Sequence, residues 1–142
     1  MKKKVFAIVG NPIDHSLSPI LHEYWFKKYS INASYKLLKA EEVNLEDITN
    51  KIRNKELEGI NVTLPFKQKI IAFVDKIIND AKSTNSVNTI FLNEEGTLVG
   101  ENTDVFGMQA AYLKEISHAQ NKKALTIGSG GVAPSIILSL QK

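Results

Sequence analysis

Cysteine is absent from the 142 residues, so disulfides and thiolate metal sites are excluded and a reducing compartment suits the chain. Arginine is nearly absent. Arg53 is the only one, and the 18 basic and 15 acidic residues are spread evenly enough, for a net charge of +3, that no nucleic-acid surface is expected. No apolar run approaches the roughly 18 residues of a membrane span, and tracts of the kind that mark disorder are missing. Behind Met1-Lys2-Lys3-Lys4 the apolar run 5–9 is too short for a signal peptide and lacks a cleavage site. His15, His22 and His118 share no ligand spacing, so no metal is expected and the three read as surface or loop residues. What remains, 43% hydrophobic and 23% charged, is the composition of a soluble, intracellular, globular chain of about one domain.

Strand and helix patterns alternate along the chain. Val5-Phe6-Ala7-Ile8-Val9 reads as a strand buried on both faces and stops at Gly10-Asn11-Pro12. Pro19, with Ser18 as N-cap, opens a helix to about Tyr29, with Ile20, Leu21, Tyr24 and Trp25 at helical spacing. A strand over 35–38, an acid-started helix over 45–53 and a strand over 60–64 follow. Residues 70–78 read as helix with a break near Asp75, and 86–92 with 97–99 as a hairpin across Asn93-Glu94-Glu95-Gly96. Asn102-Thr103-Asp104 caps a helix to about Ile116, with Val105, Met108, Tyr112 and Ile116 on one stripe. The fold class is therefore α/β: an open, mostly parallel, three-layer sheet with an antiparallel hairpin member. Residues 124–127 then read as a fresh strand running into Gly128-Ser129-Gly130-Gly131-Val132-Ala133 and a helix over 135–140, the beginning of a Rossmann-type unit. The division expected is a substrate-binding domain over 1–103, a connecting helix over 104–118 and the start of a dinucleotide-binding domain over 119–142.

Ligands of such sheets sit at the carboxyl ends of the strands. Ser16 and Ser18 follow the first strand; as a pair they are either the cap of a helix or a cradle for a carboxylate. In Asn61-Val62-Thr63-Leu64-Pro65-Phe66-Lys67 the period of two places Asn61 and Thr63 on one face, and Lys67 falls near the first turn of the next segment. A helix N-terminus disfavours a cation, and with partial burial it is expected to lower the lysine pKa toward the range useful for proton transfer. Lys69 reads as a solvated charge. Asp104 is a good N-cap, and if it faces Lys67 the two can hold one substrate hydroxyl between them. The glycine-rich turn is not a P-loop, because no Gly-Lys-Ser/Thr follows.

Ser16-Leu17-Ser18-Pro19, the stretch 61–67, Ser86-Val87-Asn88-Thr89, Gly100-Glu101-Asn102-Thr103-Asp104-Val105-Phe106-Gly107 and Gly128-Ser129-Gly130-Gly131 together resemble the shikimate dehydrogenase family, in order and at the family's spacing. The resemblance implies a cytoplasmic oxidoreductase of aromatic amino-acid biosynthesis that uses NADP to interconvert 3-dehydroshikimate and shikimate. It implies that Ser16 and Ser18 bind the substrate carboxylate, that Asn61, Thr63, Asn88 and Asp104 bind its hydroxyls, and that Lys67 is the catalytic acid/base paired with Asp104. Residues Gly128 to Ala133 would take the cofactor diphosphate. A homodimer is compatible with it. A quinate/shikimate enzyme of broader specificity and a non-catalytic shikimate-binding module are the alternatives. Where the family commonly has Gly-Ala this chain has Asn85-Ser86, and an asparagine is expected to keep the left-handed turn. The chain stops at Lys142, before the second strand of the nucleotide unit, so a polypeptide of this length alone is expected to be inactive.

Overall fold

A computed structural model describes residues 2–113 and 123–141. The apolar run near the N-terminus forms β1 (Lys4–Gly10) at the inside of a six-stranded sheet. It pairs in parallel with β2 (Ala33–Lys39) on one side and β3 (Gly59–Val62) on the other. Beyond β3 come β5 (Thr89–Leu92), β6 (Leu98–Glu101) and, at the far edge, β4 (Lys76–Ile77), in the order β2-β1-β3-β5-β6-β4. β5 alone runs against the rest: it is antiparallel to β3 and β6, while β4 and β6 are parallel. The helices are α1 (Ser18–Lys28), α2 (Leu45–Arg53), α3 (Asp80–Thr84), α4 (Asp104–Met108) and α5 (Ala133–Gln141). None of the described helices is long and apolar enough to cross a membrane.

Alternation along β1 and β3 sends Ala7, Val9, Ile60 and Val62 to one face, where they meet Leu45, Ile48 and Ile52 of α2 together with Phe66 and Ile70. The α2 stripe at 45, 48, 49 and 52 is buried, with Glu46 and Asp47 at its first turn and Lys51 and Arg53 at its last, as the helix dipole favours. The other face is thinner: Ile8, Ile13 and Tyr35 are covered by Phe6 and Phe26.

Several expectations are corrected. Leu17, not Ser18, occupies the N-cap of α1; Ser18 is the first helical residue, and its N–H donates to the Ser16 hydroxyl at 3.3 Å. Ile20, Leu21, Tyr24 and Trp25 have helical spacing but are exposed, because α1 turns the side carrying His22 and Phe26 to the sheet. His22 is thus not a surface residue: it stacks on Tyr35 at 4.1 Å. The helix expected over 70–78 is a 3-10 turn, Lys69–Phe73, followed by extended chain and β4. Asp75 breaks it, since its carboxylate accepts two hydrogen bonds from Arg53 and one from Leu98 N–H, tying the segment to the sheet edge. Lys69 is exposed, as expected of a solvated charge, and is ion-paired with Glu42 at the surface. The helix after Asn102 is α4 continued by a π-helical turn, Gln109–Leu113; Ile116 and His118, and with them the expected domain boundary, lie outside the described residues. Residues 124–127 form no strand, and Leu125 and Ile127 are 86% and 91% exposed: no described strand pairs with them, and a strand without a ladder has nothing to hold it. Asn85 does keep the left-handed turn, at φ 47° and ψ 42°.

Hydrogen bonds from Arg53, then that from Leu98 N–H, hold the Asp75 carboxyl at about 2, below its ordinary 3.8. A depressed carboxylate stabilises the fold above its unfolded pKa and stops doing so as pH falls through its folded one. Urea midpoints of the wild type and Asp75→Asn should therefore differ by a constant amount above pH 3.8 and converge toward pH 2; a difference that does not shrink would show that Asp75 is no anchor.

Candidate active site

The register Ile8↔Asn61 and Val9↔Val62 brings the carboxyl ends of β1 and β3 side by side. Past the strands the chains stay stitched: Thr63 N–H donates to Val9 O and Asn11 N–H to Leu64 O, both at 2.9 Å. Gly10 permits this approach, since a Cβ there would stand 2.5 Å from the Thr63 methyl group and 3.0 Å from the Leu64 carbonyl. The loop that follows consequently folds over the end of β3. Ser16, Ser18 and Thr63 line one cavity of about 300 Å³, with Pro12, Ile13, His15 and Leu64. Its polar side chains are three hydroxyls and the His15 imidazole, which suits a carboxylate or sugar-like oxygen.

Buried Phe66 anchors the turn after β3, and Lys67 leaves it inward. The side chain of Lys67 is 11% exposed, and its Nζ donates to Asp104 Oδ2 at 2.7 Å. The second carboxylate oxygen, Oδ1, accepts from Asn88 Nδ2 at 2.7 Å. Asn88 Oδ1 accepts from Thr103 N–H and the Thr89 hydroxyl, both at 3.0 Å. Thr89 in turn accepts from Asn61 Nδ2 at 3.1 Å, and Asn61 Oδ1 accepts from the Tyr35 hydroxyl at 2.6 Å. One hydrogen-bonded chain therefore runs from Lys67 through Asp104, Asn88, Thr89 and Asn61 to Tyr35. Asn61 also donates to Asn88 O at 3.3 Å, so both amide hydrogens are engaged and an oxygen lone pair is its remaining capacity for a ligand. Burial pushes the Tyr35 phenol well above its ordinary pKa, which keeps it a donor. Tyr35, Thr89 and Thr103 were not among the expected site residues, although Thr89 and Thr103 stand inside the motifs; for Tyr35 a polar-tipped aromatic on a strand was the available signal.

Asn102 sits beneath the pair. Its Oδ1 accepts from Asp104 N–H at 2.9 Å, capping α4, while its Nδ2 donates to Ser86 O at 2.9 Å and Ser135 Oγ of α5 at 3.0 Å. Residues 128–133 make the turn into α5. Gly128 has φ +116°, a conformation that favours glycine, and Gly131 packs on the aliphatic stem of Lys67. The N–H groups of Gly130, Gly131 and Val132 donate to no described residue, and a Cβ on Gly128 or Gly130 would meet open space. Free amides at the start of a nine-residue helix fit a diphosphate, so the residues present suit a dinucleotide there. Among the described residues no group of three His, Asp or Glu side chains is placed to hold a metal ion.

Residues 8–90 match the family described as shikimate dehydrogenase substrate binding domain. The chain belongs to that family. It is 45% identical over 140 residues to the shikimate dehydrogenase (NADP(+)) of Pelagibacter ubique, covering 99% of this chain and 52% of that protein. It is 38% identical to the enzyme of the same name from Pyrococcus furiosus, covering 98% and 50%. Shikimate 5-dehydrogenase from Thermus thermophilus, solved in complex with NADP(H) and shikimate, superposes with a TM-score of 0.86 at 31% identity, over 97% of this chain and 52% of that one. The chain spans about half the length of the curated relatives it matches.

Within this substrate-binding fold Asn102 is the buried polar group with most to lose. Asn102→Ala, which leaves the Asp104 N–H and several neighbours without a partner, should lower stability by about 2–4 kcal/mol in urea unfolding; a loss under about 0.5 kcal/mol would show that water replaces the amide.

Proposed function

We propose that the protein is an NADP-dependent shikimate dehydrogenase that reversibly reduces 3-dehydroshikimate to shikimate in aromatic amino-acid biosynthesis. The observation that carries this reading is the placement of three features in sequence: a hydroxyl-lined cavity, a sheltered Lys67–Asp104 pair 2.7 Å apart, and a glycine-rich turn packed on the lysine stem. The names of the relatives and the shikimate and NADP(H) bound in the Thermus enzyme support it.

In this reading Ser16 and Ser18 hold the substrate carboxylate, and Asn61, Thr63, Asn88 and Asp104 hold its ring hydroxyls. Asn61 acts as an acceptor, the role its bonds to Tyr35 and Thr89 leave open. Lys67 is the acid/base. Its ammonium gives a proton to the ring carbonyl oxygen as the carbon gains a hydride, so that C=O becomes CH–OH, and it recovers a proton in the reverse direction. Asp104, fixed by Asn88 and by the cap of α4, orients the ammonium and shares the hydroxyl. NADPH, when bound, supplies the hydride; Gly128, Ser129, Gly130, Gly131, Val132 and Ala133 would hold its diphosphate.

Residues 1–103 act as the substrate-binding domain, 104–118 as the connecting helix and 119–142 as the start of the dinucleotide-binding domain. The protein works in the cytoplasm. It forms a homodimer, a reading supported by the exposed apolar side of α1, Ile20 and Tyr24 included, next to the edge strand β2. Equilibrium sedimentation should give twice the protomer mass, and a protomer mass at micromolar concentration rules the dimer out.

The full-length protein should oxidise shikimate with NADP+; no turnover sinks the assignment. Lys67→Ala should lower kcat about a hundredfold or more, with shikimate affinity changed less than about threefold. An unchanged kcat would remove Lys67 from proton transfer.

A further inference from the structure

Ser86 is fully buried, a costly place for a hydroxyl without a partner. Its Oγ donates to the carbonyl oxygen of Gly131 at 2.9 Å, 45 residues further along the chain. Both sides of Ser86 are tied to the acid/base region. The next residue, Val87, donates its N–H to Lys67 O at 2.8 Å, and the Ser86 carbonyl accepts from Asn102, which caps the helix carrying Asp104. On the far side, Gly131 lies against the Lys67 stem, where a Cβ would come within 3.4 Å of the Lys67 Cβ.

The direction of the Gly131 carbonyl has a consequence for its neighbour. In a trans peptide the C=O of one residue and the N–H of the next point in opposite directions. Drawing the Gly131 carbonyl inward to Ser86 therefore turns the Val132 N–H outward, beside those of Gly130 and Gly131, and none of the three donates to a described residue. Asn102 and Ser135 fix α5 from below, so the turn is held at both ends of its approach to Lys67.

We propose that Ser86 is a positioning residue for nucleotide binding: it locks the glycine-rich turn with its amides outward and sets the distance of that turn from Lys67. The proposal rests on reading the chain as part of a nicotinamide-nucleotide oxidoreductase. Ser86 touches neither substrate nor the proton in transit, and its effect is confined to the diphosphate side.

Calorimetric titration of the full-length protein tests it. Ser86→Ala should weaken NADP+ binding about tenfold and change shikimate binding less than about twofold, because only one hydrogen bond on the nucleotide side is lost. Backbone order parameters at Gly130, Gly131 and Val132, measured without ligand, should fall in Ser86→Ala while those of β3 hold. Unchanged NADP+ affinity and order parameters, or a parallel loss of both affinities, would overturn the proposal. If Ser86→Ala does not fold, Ser86→Cys, which keeps the size but gives up the strong donor, takes its place: weaker NADP+ binding with shikimate binding held upholds the proposal, and unchanged NADP+ binding refutes it. Should the wild type bind no NADP+ but turn over shikimate with NAD+, the titrations are run with NAD+. Failure with both nucleotides fells the functional reading and this proposal's ligand together, whereas a positive wild type with an unaffected Ser86→Ala fells the proposal alone.

Discussion

One buried amide holds the chemical half of this structure in register. Asn102 is 3% exposed, and an unpartnered amide at that depth would oppose folding. It is stable there because each polar atom is used: Oδ1 takes the first free N–H groups of α4, and Nδ2 reaches Thr84, Ser86 and Ser135. Three segments distant in sequence, 84–86, 102–105 and α5, are thereby fixed to a common point. Asp104 inherits its position from that cap, and Lys67 from Asp104. A fully satisfied network of this kind specifies one arrangement of its members, since any displacement leaves several groups unpaired at once.

The two prominent ion pairs do different work. Arg53 and Asp75 meet in a bidentate pair at the surface, half exposed, where screening leaves the attraction small. Its value is directional: planar guanidinium and carboxylate fix α2 against the segment leading into β4, and the same carboxylate receives Leu98 N–H. Lys67 and Asp104 are sheltered instead, and desolvation offsets much of their attraction, so stability is a poor explanation for the pair. Fixing an ammonium against a carboxylate that Asn88 holds from its other oxygen explains it better.

The sequence patterns that proved legible were those whose cause is local. β1 was readable because five apolar residues end at a glycine turn, and α2 because its apolar stripe, acidic start and basic end agree. What failed depends on partners. β4 is two residues long and exists because Asp75 draws the chain to β6; nothing in Lys76-Ile77 announces it. The stripe on α1 has the period of a core helix, yet the side chains that meet the sheet are His22 and Phe26, chosen by the packing of Tyr35 and Phe6. In the site the residues at strand ends were legible because the fold class says where ligands bind. The links between them were not: Thr89 meets Asn61 through the antiparallel register of β3 with β5, a pairing no local pattern encodes.

That register also bears on how one small acid could use both halves of the site. Asn61 is bonded into the chain that ends at Lys67, whereas Thr63, two residues on, lines the cavity with Ser16 and Ser18. The period of a strand spans these two positions in about 7 Å, comparable with the distance across a six-membered ring bearing a carboxylate on one side and hydroxyls on the other. Gly10 lets β1 lie close enough for the serine loop to reach the Thr63 end, and Tyr35 holds the Asn61 amide in the orientation that leaves an acceptor free. In the proposed function the end of β3 would measure the ligand, with hydroxyls for an anion at one end and an acceptor and an ammonium for alcohol chemistry at the other. On that proposal a ligand lacking either function would leave one end of the strand without a partner, so selectivity would follow from that separation rather than from any single contact.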